Sequence, residues 1–270
     1  MRSVSRLFLA ELTKIWRTKF PYFGLVASAL VAVIAKQIVD RNEVADEATM
    51  SGYLSVALNL CSTLVAPIFV VIFAAMLVAS ETSRGTYRMV LPRPITRSSF
   101  LTAKLLAGLM YMVLIFAANL AVAVPIAMRY PLHSASDANA QIPGALEQTG
   151  IYATAVLLTL LPHVATVCFG FLISVLSTNV GTAIGVAVGV LLSLLPISVF
   201  VQIGDFRLKD WLFSEHYDTA IGIATERAQL ISGATWDQAK VYSLLATSLL
   251  SIAVFLALSY TYFTRRDLNL

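Results

Sequence analysis

Six apolar runs, each near or above the length that crosses a bilayer, constrain what this chain can fold into. They cover Pro21–Val39, Tyr53–Ala79, Phe100–Met128, Ile151–Ser177, Thr182–Ile203 and Lys240–Phe263. A helix rising about 1.5 Å per residue needs about 20 residues to pass a hydrocarbon core about 30 Å thick. Inside that core every backbone N–H and C=O must be satisfied within the protein, which leaves helices or a closed barrel. A barrel would show shorter segments of alternating polarity, and these runs are continuously apolar. With 58% hydrophobic and 13% charged residues over 270 positions, the chain also lacks the polar surface to cover a soluble globule of its size. The expected fold is an all-α integral membrane bundle of six transmembrane helices.

The cations orient that bundle. With the N-terminus inside, the inner face carries Arg2, Arg6, Lys14, Arg17, Lys19, Arg84, Arg88, Arg93, Arg97, Lys104, Arg265 and Arg266, twelve of the 19 Lys and Arg. Only Glu11, Glu81 and Asp267 among the 15 acids fall there. The cation bias is the signal that sets topology, and it places both termini in the cytoplasm.

Residues 1–20 resemble a leader in charge but not in layout, since their cations run from Arg2 to Lys19. Val4, Phe8, Leu12, Ile15 and Trp16 recur at helical spacing. That pattern suits an interfacial amphipathic helix, its apolar stripe in the acyl region and Arg6, Lys14 and Arg17 toward headgroups. A plain basic flank of the first span is the other reading. Residues 21–270 then form the six-helix transmembrane domain.

The connections are unequal. Only Thr178 to Gly181 separates the fourth and fifth runs, so those helices are expected to be antiparallel neighbours. The outer segment 204–239 is long and amphipathic, with Phe206, Trp211 and Phe213 among charges. An outer cap or re-entrant hairpin and a solvated loop are both consistent with it. Residues Pro131 to Gly150 read as a polar outer loop without a catalytic signal.

The segment 80–99 is the most specific part of the chain. Gly85 permits a turn that a side chain would hinder, and Pro92 and Pro94 break the helix leaving the second run. Thr96, Ser98 or Ser99 is placed to cap the helix that follows near Phe100. The result is a rigid basic knob at the membrane surface.

At these residues the chain resembles the ABC-2 type permeases, the membrane subunits of ATP-driven exporters. The shared pattern is Glu81, Gly85-Thr86, Leu91-Pro-Arg-Pro94-Ile95-Thr96-Arg97, Phe100 and Lys104. The N-terminal helix, the six spans, the long outer link and the basic end Phe263 to Asp267 extend the likeness over nearly the whole chain. The resemblance implies a cytoplasmic coupling segment in which Glu81, Arg84, Gly85, Thr86, Arg88, Pro94, Thr96 and Arg97 dock an ATPase. It implies two ATPase subunits carrying ATP and magnesium, a second permease copy as homodimer or close paralogue, and a bacterial inner-membrane location. This chain has no Gly-x-x-x-x-Gly-Lys-Ser/Thr phosphate loop, so ATP belongs to the partner. No cofactor of its own is expected, and no nucleic acid.

Polar residues inside the spans are few. Asn59, Asn119 and His163, the last beside Pro162, are candidates for an intramembrane pathway. Helical rise puts Asn119 and His163 at similar depth, where they are expected to meet; a neutral His satisfied by a neighbour is the alternative. Gly181, Gly185 and Gly189 form a small-residue stripe for close helix packing, within the subunit in the more frequent arrangement or across a dimer. The three His and two Cys are scattered without metal-site spacing. Two further functional readings stand beside the exporter. One is an ATPase-coupled scaffold passing force to an extracytoplasmic partner, and the other an ion-coupled carrier, which the lack of acids inside the spans disfavours.

Overall fold

The computed structural model describes residues 2–42, 48–83, 96–132, 143–200, 202–203, 206–207, 211–229 and 236–265. In chain order these form helices α1 (Arg2–Arg17), α2 (Phe20–Asn42), α3 (Met50–Leu60), α4 (Ala66–Ser83), α5 (Arg97–Ala127), α6 (Ala145–Leu176), α7 (Val180–Phe200), α8 (Thr219–Gln229) and α9 (Gln238–Arg265). Residues Cys61–Val65 make a π-helical turn that joins α3 to α4 in one rod, Met50–Ser83. Two-residue strands Gln202–Ile203 and Phe206–Arg207 pair antiparallel, Gln202 opposite Arg207.

Among the described residues, five helical segments are long and apolar enough to cross a membrane: Phe20–Arg41, the α3–α4 rod, α5, α6 and α9. The chain is thus built as a multi-pass membrane protein. Six spans were expected; α7 is also apolar, but its described side chains end at Leu194, a stretch shorter than a span.

Burial separates inner from outer helices. The apolar windows of the rod and of α6 are 67% and 61% buried, against 28% for α2 and 17% for α9. The rod and α6 therefore form the centre, with α7 on the rod, α9 on α6, and α2 and α1 on α5. The two central helices meet tightly at Gly170. A Cβ there would lie 2.8 Å from Ala74 Cβ and 2.9 Å from the Val71 carbonyl, so the missing side chain is what lets α6 meet α4.

The glycine stripe of α7 behaves differently from the packing expected within the subunit. Ala183, Ala187 and Leu191 are the α7 residues buried toward the centre, whereas Gly181, Gly185 and Gly189 are exposed. A Cβ on Gly185 or Gly189 would meet nothing within 4 Å. Larger residues on the opposite face supply more contact area, so that face is the one the chain buries.

The N-terminal segment is a helix, and its apolar stripe meets protein rather than lying only in an acyl region. Phe8 and Leu12 pack against the core cluster that holds Phe100, Leu101 and Phe263. Arg6 and Arg17 stay exposed. The described part of segment 204–239 is a packed cap: Phe213, Tyr217, Ala220, Ile221 and Ala224 are buried, and α8 lies on α6 and α3. Trp211 is its exposed aromatic, 58% accessible.

The two ends of the bundle are tied separately. At one, Met50 N donates to Pro131 O at 2.9 Å and the Tyr130 hydroxyl to Asp40 Oδ1 at 2.6 Å. At the other, α1, the end of α4, the start of α5 and the end of α9 converge.

Candidate functional site

That second end holds a closed ring of four charges drawn from three helices. Lys14 Nζ lies 2.7 Å from Glu11 Oε1 and 2.7 Å from Glu81 Oε1. Lys104 Nζ lies 2.9 Å from Glu81 Oε1 and 3.3 Å from Glu11 Oε2. Glu11 and Lys14 are one turn apart on α1, Glu81 sits in the last turn of α4, and Lys104 in the second turn of α5. Two carboxylates and two ammoniums alternate, so the ring is neutral as a whole.

Burial gives the ring its weight. The Lys104 side chain is 2% exposed and the two carboxylates 13% and 12%, and Lys104 Nζ also stands 5.1 Å over the Phe100 ring. An ammonium this dry persists only with full compensation, and removing one partner of such a pair costs about 3–5 kcal/mol. The sequence groups Lys104 with the surface cations of the basic segment; the structure places it inside the bundle, because two carboxylates from other helices reach it there. For Lys14 burial alone pulls the pKa down, and hydrogen bonds and charge from Glu11 and Glu81 overturn that, leaving it above the ordinary lysine value.

The ring sits at the foot of the basic segment. Arg84, Gly85, Thr86, Arg88 and Pro94 lie outside the described residues, and both flanks are fixed. Thr96 caps α5, its Oγ1 accepting from Ser99 N at 3.2 Å. Arg97 Nη1 donates to Thr264 O at 3.1 Å. Phe100 stacks on Phe263 with centroids 6.0 Å apart, and the Thr102 and Tyr260 hydroxyls are 2.8 Å apart. The start of α5 is thus bolted to the end of α9, while Glu81 and Lys104 bind α4 and α5 to α1.

A second polar locus lies at the middle of the rod, and proline creates it. The Ala66 N–H reaches back five residues to Cys61 O, as a π-turn requires. The next bond in that register would run from residue 67 to Ser62 O, and Pro67 has no N–H to give. Ser62 O is therefore without a helical donor, and His163 Nε2 stands 3.0 Å from it. The other ring nitrogen, Nδ1, is 2.8 Å from Thr159 O, a carbonyl in ladder position for the His163 backbone N–H. Both ring nitrogens thus face backbone carbonyls, one on its own helix and one on the rod.

The cap closes over this point. Ser62 Oγ donates to Tyr217 O at 2.5 Å, the Tyr217 and Thr166 hydroxyls are 2.6 Å apart, and Thr166 Oγ1 donates to Pro162 O at 3.1 Å. The His163 ring lies between Phe116, edge-on at 4.9 Å, and Tyr217 at 4.6 Å. His163 is fully buried. Its surroundings are those of a structural clasp joining the rod, α6 and the cap.

The expected meeting of Asn119 and His163 does not occur. Asn119 Nδ2 donates instead to Ser28 O of α2 at 2.9 Å, because the α2–α5 contact takes that face of α5; Phe116, one turn earlier, is what touches His163. Asn59 is half-buried on α3, and its carbonyl accepts from Thr63 Oγ1 at 2.8 Å. Of the four residues expected along a pathway, only Pro162 and His163 share a locus.

Sequence reasoning gave no site role to Glu11, Lys14, Ser62, Thr166, Tyr217 or Gly170. Three of these left a trace: Glu11 and Lys14 at i and i+3 on a cationic helix, and Ser62 five residues before Pro67. The others depend on contacts between distant segments.

A family model described as a protein of unknown function, DUF2705, matches residues 26–269. The chain belongs to that family. The DUF2705 match begins within α2, takes in α3 through α9 and leaves α1 outside it. No curated protein matches the chain.

Proposed function

We propose that this chain is the membrane permease subunit of an ATP-driven exporter of ABC-2 type. Two copies pair with two cytoplasmic ATPase subunits, which bind ATP and magnesium and supply the hydrolysis that this chain does not perform itself. Both termini and the segment 80–99 face the cytoplasm. The reading is supported first by the resemblance of Glu81 to Lys104 to that family's coupling segment.

The observation that carries it is the ion ring. Glu81 Oε1 binds Lys14 and Lys104 together, so the two helices that flank the basic segment share one buried anchor. A loop on compliant stems would absorb a push. One whose stems are locked to three helices passes it on to the bundle. To switch access, the ATPase must grip the segment differently in its two states, since equal grip shifts no equilibrium. The exposed small-residue face of α7 leaves room for a second permease copy in this reading.

Charge reversal of the segment tests it. Arg84→Glu with Arg88→Glu, and separately Gly85→Trp, are expected to lower co-purified ATPase at least about tenfold, the effect of losing ~1.4 kcal/mol or more. The unfolding curve of the permease itself should stay as in the wild type. Retention of the ATPase at wild-type levels by both variants would refute the docking.

A further inference from the structure

Between α6 and α9, at the end that carries the ion ring, lies a cleft of 450 Å³ lined by Leu172, Leu176, Leu258, Thr261, Tyr262 and Arg265. Its two walls are simple. Leu172 and Leu176 stand one turn apart on α6, and Leu258 to Arg265 covers two turns of α9, a trough about 10 Å long. The Thr261 hydroxyl is turned inward, bonded to Ala257 O at 2.7 Å, so the floor is apolar. Leu176 and Leu258 are among the large apolar side chains that the chain leaves exposed.

One end of this trough is charged. Arg265 is exposed in the last turn of α9, and its guanidinium has no hydrogen bond or ion pair among the described residues. The neighbouring turn of α9 is occupied otherwise: Tyr260, Phe263 and Thr264 face α5 through Thr102, Phe100 and Arg97. A groove that is apolar along its length and carries at the helix end a guanidinium without a partner among the described residues matches an amphiphile with an anionic head. A guanidinium holds a phosphate through two parallel hydrogen bonds, and basic residues at a bilayer surface favour anionic lipid.

We propose that this cleft is a binding site for an anionic glycerophospholipid, with its phosphate on Arg265 and one acyl chain along Leu172, Leu176 and Leu258. The lipid braces the end of α9 from the side opposite α5. It thereby steadies the helix to which the start of α5 is bolted. The inference rests on the membrane fold alone and stands whether or not an ATPase docks on the chain.

Native mass spectrometry of the detergent-purified chain, titrated with phosphatidylglycerol or with phosphatidylcholine of the same acyl composition, tests the site. The wild type is expected to retain at least one phosphatidylglycerol with about fivefold preference, the factor that one basic residue contributes at an anionic surface. Arg265→Gln should remove the preference, and Leu258→Trp, which fills the trough, should lower retention of both lipids. Arg17→Gln, an exposed cation on α1, should leave both unchanged. The proposal is overturned if Arg265→Gln keeps the wild-type preference, or if Leu258→Trp retains both lipids as the wild type does. It is equally overturned if glycerol phosphate displaces the lipid as well as added lipid does. A change in the dimer fraction by these variants, with lipid retention unaltered, gives the groove to a second copy of the chain and also overturns it.

Discussion

Lys104 shows how far a side chain's meaning depends on what other helices bring to it. In the chain it is one more cation after a basic stretch; in the bundle it is 2% exposed and held by Glu11 and Glu81. Lys104→Met leaves two buried carboxylates sharing Lys14, and unfolding in mixed micelles is expected to show a loss of about 3–5 kcal/mol. Adding Glu81→Gln restores neutrality to what remains, so the double variant should recover part of that loss; a strictly additive double variant would contradict the ring. His163 makes a second case. His163→Phe keeps the ring contacts with Phe116 and Tyr217 but takes the polar ring nitrogens away from Ser62 O and Thr159 O, at an expected cost of about 1–3 kcal/mol in the same measurement. That His163 is buried was legible from its place in an apolar run. That its partner is a carbonyl freed by Pro67 was not, because the π-turn depends on one backbone register that no side-chain pattern announces.

Helices were the readable part of this chain, since a continuous apolar run inside a membrane has one regular solution. The start of α5 at Thr96 was legible from capping chemistry, and Thr96 Oγ1 does accept from Ser99 N. Which faces meet was much less legible. The glycine repeat of α7 is conspicuous in sequence and points away from the chain, whereas the single Gly170 sits where α6 crosses α4 with an added Cβ only 2.9 Å from a backbone carbonyl. Gly170→Val is expected to destabilise by about 1–3 kcal/mol or more through overpacking. Gly185→Leu should leave the unfolding of the single subunit unchanged. Helix α1 offers a pH test. Lys14 has a raised pKa through Glu11 and Glu81, so its share of the attachment is complete below the ordinary lysine value of 10.5 and is lost as pH rises through the higher folded value. A spin label at Thr13 should report an unchanged α1 between about pH 6 and pH 9 and a looser one only in stronger alkali.

Taken together, the chain puts its buried ion ring at one end of the bundle and its cap at the other, with the His163 clasp between them. Glu81, Lys104, Arg97 and Phe100 fix the helices that flank residues 84–95 to α1 and α9. Tyr217 fixes the cap to α6 and the rod. A displacement applied at the basic segment thus has a stiff route through the central α4–α6 pair, whose contact Gly170 makes close. The sequence alone shows the segment's basic character and its turn residues, but the anchor beneath it needs α1, α4 and α5 to converge in space. The most direct test of the account is the composition of the complex formed by the full-length chain in its own membrane. Affinity purification followed by mass measurement of the intact assembly is expected to find a nucleotide hydrolase on separate chains, in equal copy number with this subunit. A purified subunit that performs its biological task with no such hydrolase attached would contradict the account.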